Sequence, residues 1–179
     1  MLRIGVLIVS PIQVIDLAPV ELFTVLTKDY LRVNGLQQNL VDAALPTGDV
    51  EIIYIAQSGP KTIADTIPGL GLAITAGIKD SNVAPGKLDV LFIPGTDPTT
   101  VPDEDVLKFV RGHIGSGAEL MAVCTGIFVA AHSGVLDGKL ATGPRGMLDE
   151  IRNTFEKVNW QDKRYVNDGS LWTCGKRSG

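Results

Sequence analysis

Four short runs of continuous, largely β-branched apolar sequence constrain this chain more than any other feature: LRIGVLIV from Leu2, VEIIYIA from Val50, LDVLFIP from Leu88 and AELMAVC from Ala118. Each is shorter than an ordinary buried helix, and none shows the apolar–polar alternation of a half-exposed strand. They therefore read as strands covered on both faces. Such strands need helices on either side, and helical spacing falls between them. Leu17, Val20, Phe23 and Leu26 recur between Asp16 and Tyr30, and Val106, Phe109 and Val110 recur between Asp103 and Ile114. The alternation predicts an α/β domain built on a mostly parallel sheet. With 179 residues and 45% hydrophobic content, the chain has material for one well-buried core, so a single domain over 1–179 is expected.

The stretch TIADTIPGLGLAITAG breaks the rhythm and reads as two short strands around a Pro-Gly turn. Residues 34–48 read as a surface excursion whose Gly, Gln, Asn and Pro content lowers helix propensity, with a helical turn left open. Beyond Cys124 the pattern predicts a helix to about Ser133, a short strand at Leu140 to Thr142, a helix from Gly146 to Phe155, and final strands near Trp160 and Trp172.

A net charge of -4, with Lys and Arg scattered along the chain, gives no electrostatic footprint for nucleic acid or an anionic membrane. A small-molecule substrate is the expected partner. The opening MLRIGVLIVS starts directly into a strand pattern, and no run reaches the roughly 20 apolar residues that span a bilayer. A soluble, cytoplasmic protein is expected. Two cysteines, Cys124 and Cys174, form neither a disulfide framework nor a zinc motif.

Cys124 ends an apolar strand, and Thr125-Gly126 opens a helix with no loop between. A strand turning at once into a helix holds its pivot residue in a strained elbow at the carboxyl edge of the sheet, where open α/β sheets bind ligands. The helix N-terminus behind the pivot also favours thiolate over thiol. A reactive cysteine is the expectation, set against a small buried hydrophobe. Cys174, in the polar tail LWTCGKRSG, reads as an incidental exposed thiol. Of the two histidines, His132 lies eight residues along the same helix, about 12 Å from the pivot at 1.5 Å per residue. His113 suits capping of its own helix. Asp16, after strand one, approaches the thiol if strand one neighbours the Cys124 strand. It is equally suited to be a helix N-cap.

The segment after strand one, IDLAPVELF, the DVLFIPG strand and turn, the AVCTGIFVAAHSGVLDGKLAT region and the closing LWTCG together resemble the ThiJ/PfpI superfamily, from Met1 to about Gly175. Cysteine followed by Thr-Gly, with aspartate in the strand-one turn, resembles its isonitrile hydratase-like branch. The resemblance implies a flavodoxin-like three-layer sandwich related to class I glutamine amidotransferases. It implies Cys124 as nucleophile, Asp16 as proton relay and Thr125 in an anion-stabilising pocket, with Gly95 and Gly126 bordering the substrate, and neither metal nor organic cofactor.

The sequence departs from that branch twice. Ala141-Thr142-Gly143-Pro144-Arg145 stands where relatives carry a site histidine, and Arg145 reads either as a contact for an anionic or carbonyl-bearing substrate or as a surface salt-bridge residue. Relatives continue after LWTCG into a helix that covers the sheet; without it apolar surface would be exposed, so either a partner subunit covers it, with a homodimer the first expectation, or the chain is a shortened form of reduced stability. The function implied is a cysteine-dependent lyase or hydratase acting on a small electrophilic carbon. The alternatives are a glyoxalase or deglycase acting on 2-oxoaldehydes, and a redox or stress sensor in which Cys124 is oxidised.

Overall fold

A computed structural model describes residues 1–175. The four apolar runs form the centre of the sheet as β1 (Leu2–Leu7), β2 (Val50–Ala56), β6 (Val90–Ile93) and β7 (Glu119–Val123). Between β2 and β6, β3 (Ile63–Asp65) and β4 (Gly71–Ala73) make the antiparallel hairpin expected around Pro68-Gly69, and β5 (Ala76–Gly77) joins the edge beside β2. At the other edge lie β10 (Tyr165–Asp168) and β11 (Leu171–Cys174), while β8 (Leu140–Ala141) and β9 (Asn159–Trp160) form a separate pair. The seven-stranded order is β10-β11-β7-β6-β1-β2-β5, parallel throughout except for β10 against β11. This is the mostly parallel α/β sandwich expected from the apolar runs.

Strand alternation sorts the core into two layers. Leu7, Leu91, Ile93, Leu120 and Ala122 pack with α4 (Glu104–Gly115), α5 (Gly126–Ser133) and α6 (Leu148–Thr154). Ile4, Val6, Val90 and Phe92 face the opposite side, with Val20 and Phe23 of α1 (Ala18–Val25) and with Ala64 of the hairpin. Both faces are covered at β1 and β6, whereas Met121 and Val123 of β7 are only half-buried on the α1 side and Trp172 of β11 is exposed there.

One local expectation is corrected, and two details are added. The helical segment predicted from Asp16 to Tyr30 is a 3₁₀ turn (Val14–Leu17), then α1, then α2 (Lys28–Val33). The break comes where Thr27 turns extended to bridge Leu45, with Lys28 N donating to the Leu45 carbonyl at 2.9 Å. The excursion over 34–48 contains a short helix, α3 (Gln38–Ala43), anchored by buried Val41. Strand β10 was not anticipated. It pairs only with β11 and carries one buried residue, Val166, too weak a signal in sequence. Among the described residues no element follows β11, and no helix is long and apolar enough to cross a membrane.

Candidate active site

The elbow predicted at Cys124 is present. β7 ends at Val123, α5 begins at Gly126, and Cys124 between them has φ of 55°, in the left-handed region that side chains other than glycine adopt at a cost. Two contacts hold it there. Cys124 N donates to the Cys174 carbonyl at 2.9 Å, which continues the β7–β11 ladder through the pivot. Gly126 lies so close to the end of β6 that an added Cβ would stand 2.4 Å from the Ile93 carbonyl oxygen and 2.6 Å from that of Pro94. Gly126, predicted as a substrate contact, thus has a packing reason for its lack of side chain: it lets α5 start against the β6 loop.

Asp16 reaches this elbow by a route the sequence did not indicate. Strand β1 is not the neighbour of β7, because β6 lies between them. The β1 loop instead crosses over the end of β6. Ile12 bridges both Thr66 and Thr96, and Gln13 N donates to the Gly95 carbonyl at 2.9 Å. The Thr96 hydroxyl donates back to the Val9 carbonyl, and the Thr125 hydroxyl donates to the Thr96 carbonyl at 2.6 Å. Loops after β1, β6 and β7 are thereby joined. Gly95 is their meeting point: an added Cβ would stand 2.2 Å from Asp16 Oδ2, 3.0 Å from Thr125 Oγ1 and 3.3 Å from Cys124 Cβ. Four of the residues predicted from sequence, Cys124, Asp16, Thr125 and Gly95, therefore converge at one point. Asp16 is not the N-cap of α1, which is Leu17.

Cys124, Asp16 and Thr125 are each only 5% exposed. Burial pushes the Cys124 thiol above its ordinary range, and the negative charge and hydrogen bonding of Asp16 push it further. The backbone N–H and hydroxyl of Thr125 act the other way. The helix-end donors thus work in the expected direction but are outweighed by burial and by Asp16. Gln13, which sequence reading missed, places its Nε2 3.9 Å from Cys124 Sγ as a further donor toward the sulfur beside the Thr125 N–H. A lone glutamine in a loop carries no signal that could have marked it.

Neither histidine joins the site. His113 is fully buried, with Nε2 3.0 Å from the Val83 carbonyl and its ring edge-on to Phe109, so it fastens α4 to the segment before β6 rather than capping its helix. His132 packs edge-on against Phe155. Arg145 takes the salt-bridge alternative: its guanidinium pairs with both carboxylate oxygens of Asp162, at 2.7 and 3.0 Å, on the exposed surface. Cys174 is half-buried rather than exposed, and with Ile15, Asp16, Val123, Arg164 and Tyr165 it lines a cleft of about 300 Å³ on the α1 side of the sheet. Among the described residues no group of three or more His, Cys, Asp or Glu side chains is arranged to hold a metal ion.

Fold and site together define an α/β protein with a cysteine at a strand-to-helix elbow and a carboxylate brought over a glycine to meet it. Residues 19–178 match the family model described as the DJ-1/PfpI family, and the chain belongs to that family. It is 31% identical over 135 residues to isonitrile hydratase of Pseudomonas putida, an alignment covering 74% of this chain and 55% of that enzyme. It is 27% identical over 143 residues to deglycase PfpI of Pyrococcus furiosus, covering 73% and 84% of the two chains. Among solved structures, the DJ-1 superfamily protein Atu0886 of Agrobacterium tumefaciens superposes with a TM-score of 0.70 at 17% identity, covering 98% of this chain and 82% of that one. An AraC family transcriptional regulator from Pseudomonas putida superposes with a TM-score of 0.72 at 14% identity, covering 97% and 83%. These two likenesses concern the fold alone.

Proposed function

We propose that the protein is a cysteine-dependent hydratase of small electrophilic carbon, acting on isonitriles. The observation that carries this reading is the placement of Asp16 against a buried Cys124 thiol whose proton is held by burial and by that carboxylate. An isonitrile carbon bears a lone pair, so sulfur can add to it only as a proton is delivered to the same carbon. A proton shared between a thiol and a carboxylate supplies that acid at the point of attack.

In the proposed sequence the Cys124 sulfur bonds to the isonitrile carbon while the thiol proton passes, through Asp16, to that carbon. The product is an N-substituted thioimidate on Cys124. Asp16 then takes a proton from water as its oxygen adds to the thioimidate carbon, and gives that proton to the thioimidate nitrogen. As the carbon–sulfur bond breaks, the remaining hydroxyl proton passes through Asp16 to the sulfur, and an N-substituted formamide leaves. The Thr125 N–H and the Gln13 amide stand where negative charge on sulfur appears when that bond breaks.

The similarity to isonitrile hydratase supports this reading, although the alignment spans only 55% of that enzyme. A glyoxalase or deglycase reading draws on the similarity to deglycase PfpI. Proton transfer between adjacent carbons of a 2-oxoaldehyde is commonly served by a histidine, and both histidines here are engaged elsewhere. Assay of a simple alkyl isonitrile and of methylglyoxal, side by side and with Cys124→Ala as control, tests the proposal. Formamide production that disappears in the variant is expected. Turnover that survives Cys124→Ala, or turnover of methylglyoxal alone, overturns it.

A further inference from the structure

We propose that Arg164 anchors the anionic group of a carboxylate-bearing electrophile whose reacting carbon is presented to Cys124. This rests on reading Cys124 as the reactive centre. Five described arginines are each engaged by a carboxylate: Arg3 by Glu51, Arg32 by Asp29, Arg111 by Glu104, Arg145 by Asp162 and Arg152 by Asp149. Arg164 is the one described arginine with no carboxylate partner, and it is also the one that lines the cleft beside the elbow. There it faces the walls formed by Asp16, Cys174 and Val123, the last being the residue before the nucleophile. Burial pushes the Cys174 thiol up, and the nearby Arg164 charge is among the influences that oppose it.

The position has a chemical consequence. Asp16 repels an anion approaching the thiol, and in a chain of net charge -4 no general attraction compensates. Arg164, exposed and lining the same cleft, brings a positive charge that offsets that repulsion, and the planar fork of a guanidinium matches a carboxylate. The Arg164 backbone is fixed at the cleft wall, its carbonyl accepting from Gly175 N at 3.2 Å. A cleft of about 300 Å³ is at the small end of ligand sites, which restricts the occupant to a small acid. An anion contact, one of the two readings open for Arg145 in the sequence, thus falls to Arg164, nineteen positions further on and immediately before β10.

The test uses two alkylating agents of matched size, iodoacetate and iodoacetamide. In both, the Cys124 sulfur displaces iodide and the thiol proton is lost to solvent. Labelling is followed by mass spectrometry of the peptide carrying Cys124, so that reaction at Cys174 is not counted. The ratio of the iodoacetate rate to the iodoacetamide rate is expected to fall about two- to tenfold in Arg164→Ala, as for loss of a partly exposed ion pair, and to recover in part in Arg164→Lys. Arg145→Ala should leave it unchanged, and added salt should shrink the wild-type preference. An unchanged ratio in Arg164→Ala, an equal fall in Arg145→Ala, or no reaction of Cys124 with either reagent overturns the proposal. Turnover of isocyanoacetate and of its methyl ester separates this proposal from the hydratase reading. A KM increase in Arg164→Ala confined to the acid supports both, and an equal KM change for acid and ester overturns the anchor. Absence of wild-type turnover with the alkylation preference intact sinks the hydratase and leaves the anchor standing.

Discussion

The Asp16 carboxylate meets the Cys124 thiol across Gly95, although β6 separates the strands that precede them. The relationship depends on a residue with no side chain, and it couples the protonation of the two groups. Substituting Asp16 should therefore move thiol reactivity and turnover in opposite directions. Asp16→Asn removes the charge and hydrogen bonding that raise the thiol, so the Cys124 thiolate becomes more populated at neutral pH and alkylation by iodoacetamide should quicken. Turnover of an isonitrile should fall by roughly 10² to 10⁴-fold, as for loss of a general acid–base group. Parallel pH profiles of alkylation and turnover check this, and a fall in both would contradict the assigned coupling.

Gly95→Ala offers a second way to disturb the same pair. The new Cβ would lie 2.2 Å from Asp16 Oδ2, the end of a side chain, so Asp16 is displaced while the fold adapts. The variant is expected to retain most of its thermal stability, to show the faster alkylation of Asp16→Asn, and to lose turnover. Unfolding curves and alkylation rates read together distinguish this from simple destabilisation.

Gly126→Ala should behave differently, because its Cβ would meet the backbone carbonyls of Ile93 and Pro94 rather than a side-chain tip. Neither α5 nor the end of β6 can yield without disturbing the elbow. A loss of roughly 1–3 kcal/mol is expected, as for overpacking in a core, visible as a lower denaturant midpoint.

How much of this was legible in the sequence follows from where the information resides. The continuous apolar runs ending at Leu7, Ala56, Ile93 and Val123 define the central strands, because burial on both faces leaves no other composition. The elbow was legible because Val123, Cys124 and Gly126 leave no room for a loop. The meeting of Asp16 with Cys124 was reached from a mistaken premise about strand order. What brings them together is a lattice of backbone and hydroxyl bonds among Val9, Gln13, Gly95, Thr96 and Thr125, none of which has a distinctive pattern in one dimension. Gln13 and Arg164 were missed for the same reason: polar loop residues show their part only once the fold has placed their neighbours. The balance of influences on the thiol was only half legible, because the helix end is visible in sequence, whereas the depth of burial that pushes the thiol up is not.

His113 supplies the last expectation, one of stability rather than chemistry. Burial holds its imidazole below the ordinary pKa, and the bond from Nε2 to the Val83 carbonyl only partly opposes this. In the folded chain the ring is thus kept neutral over a pH range where the unfolded chain protonates it. Unfolding then takes up a proton, so the contribution is fully present above the unfolded value near 6.5 and is lost as pH falls from there through the lower folded value. Thermal unfolding between pH 7.5 and pH 5 should show a falling midpoint. His113→Gln, which keeps a donor for Val83 but cannot titrate, should flatten that slope while costing about 1 kcal/mol at pH 7.5 through imperfect packing and hydrogen bonding. Because His113 lies outside the Cys124 centre, the variant should leave the alkylation ratio of iodoacetate to iodoacetamide unchanged. A shift in that ratio would show that the α4 anchor and the reactive elbow are mechanically linked through the β6 segment that both adjoin.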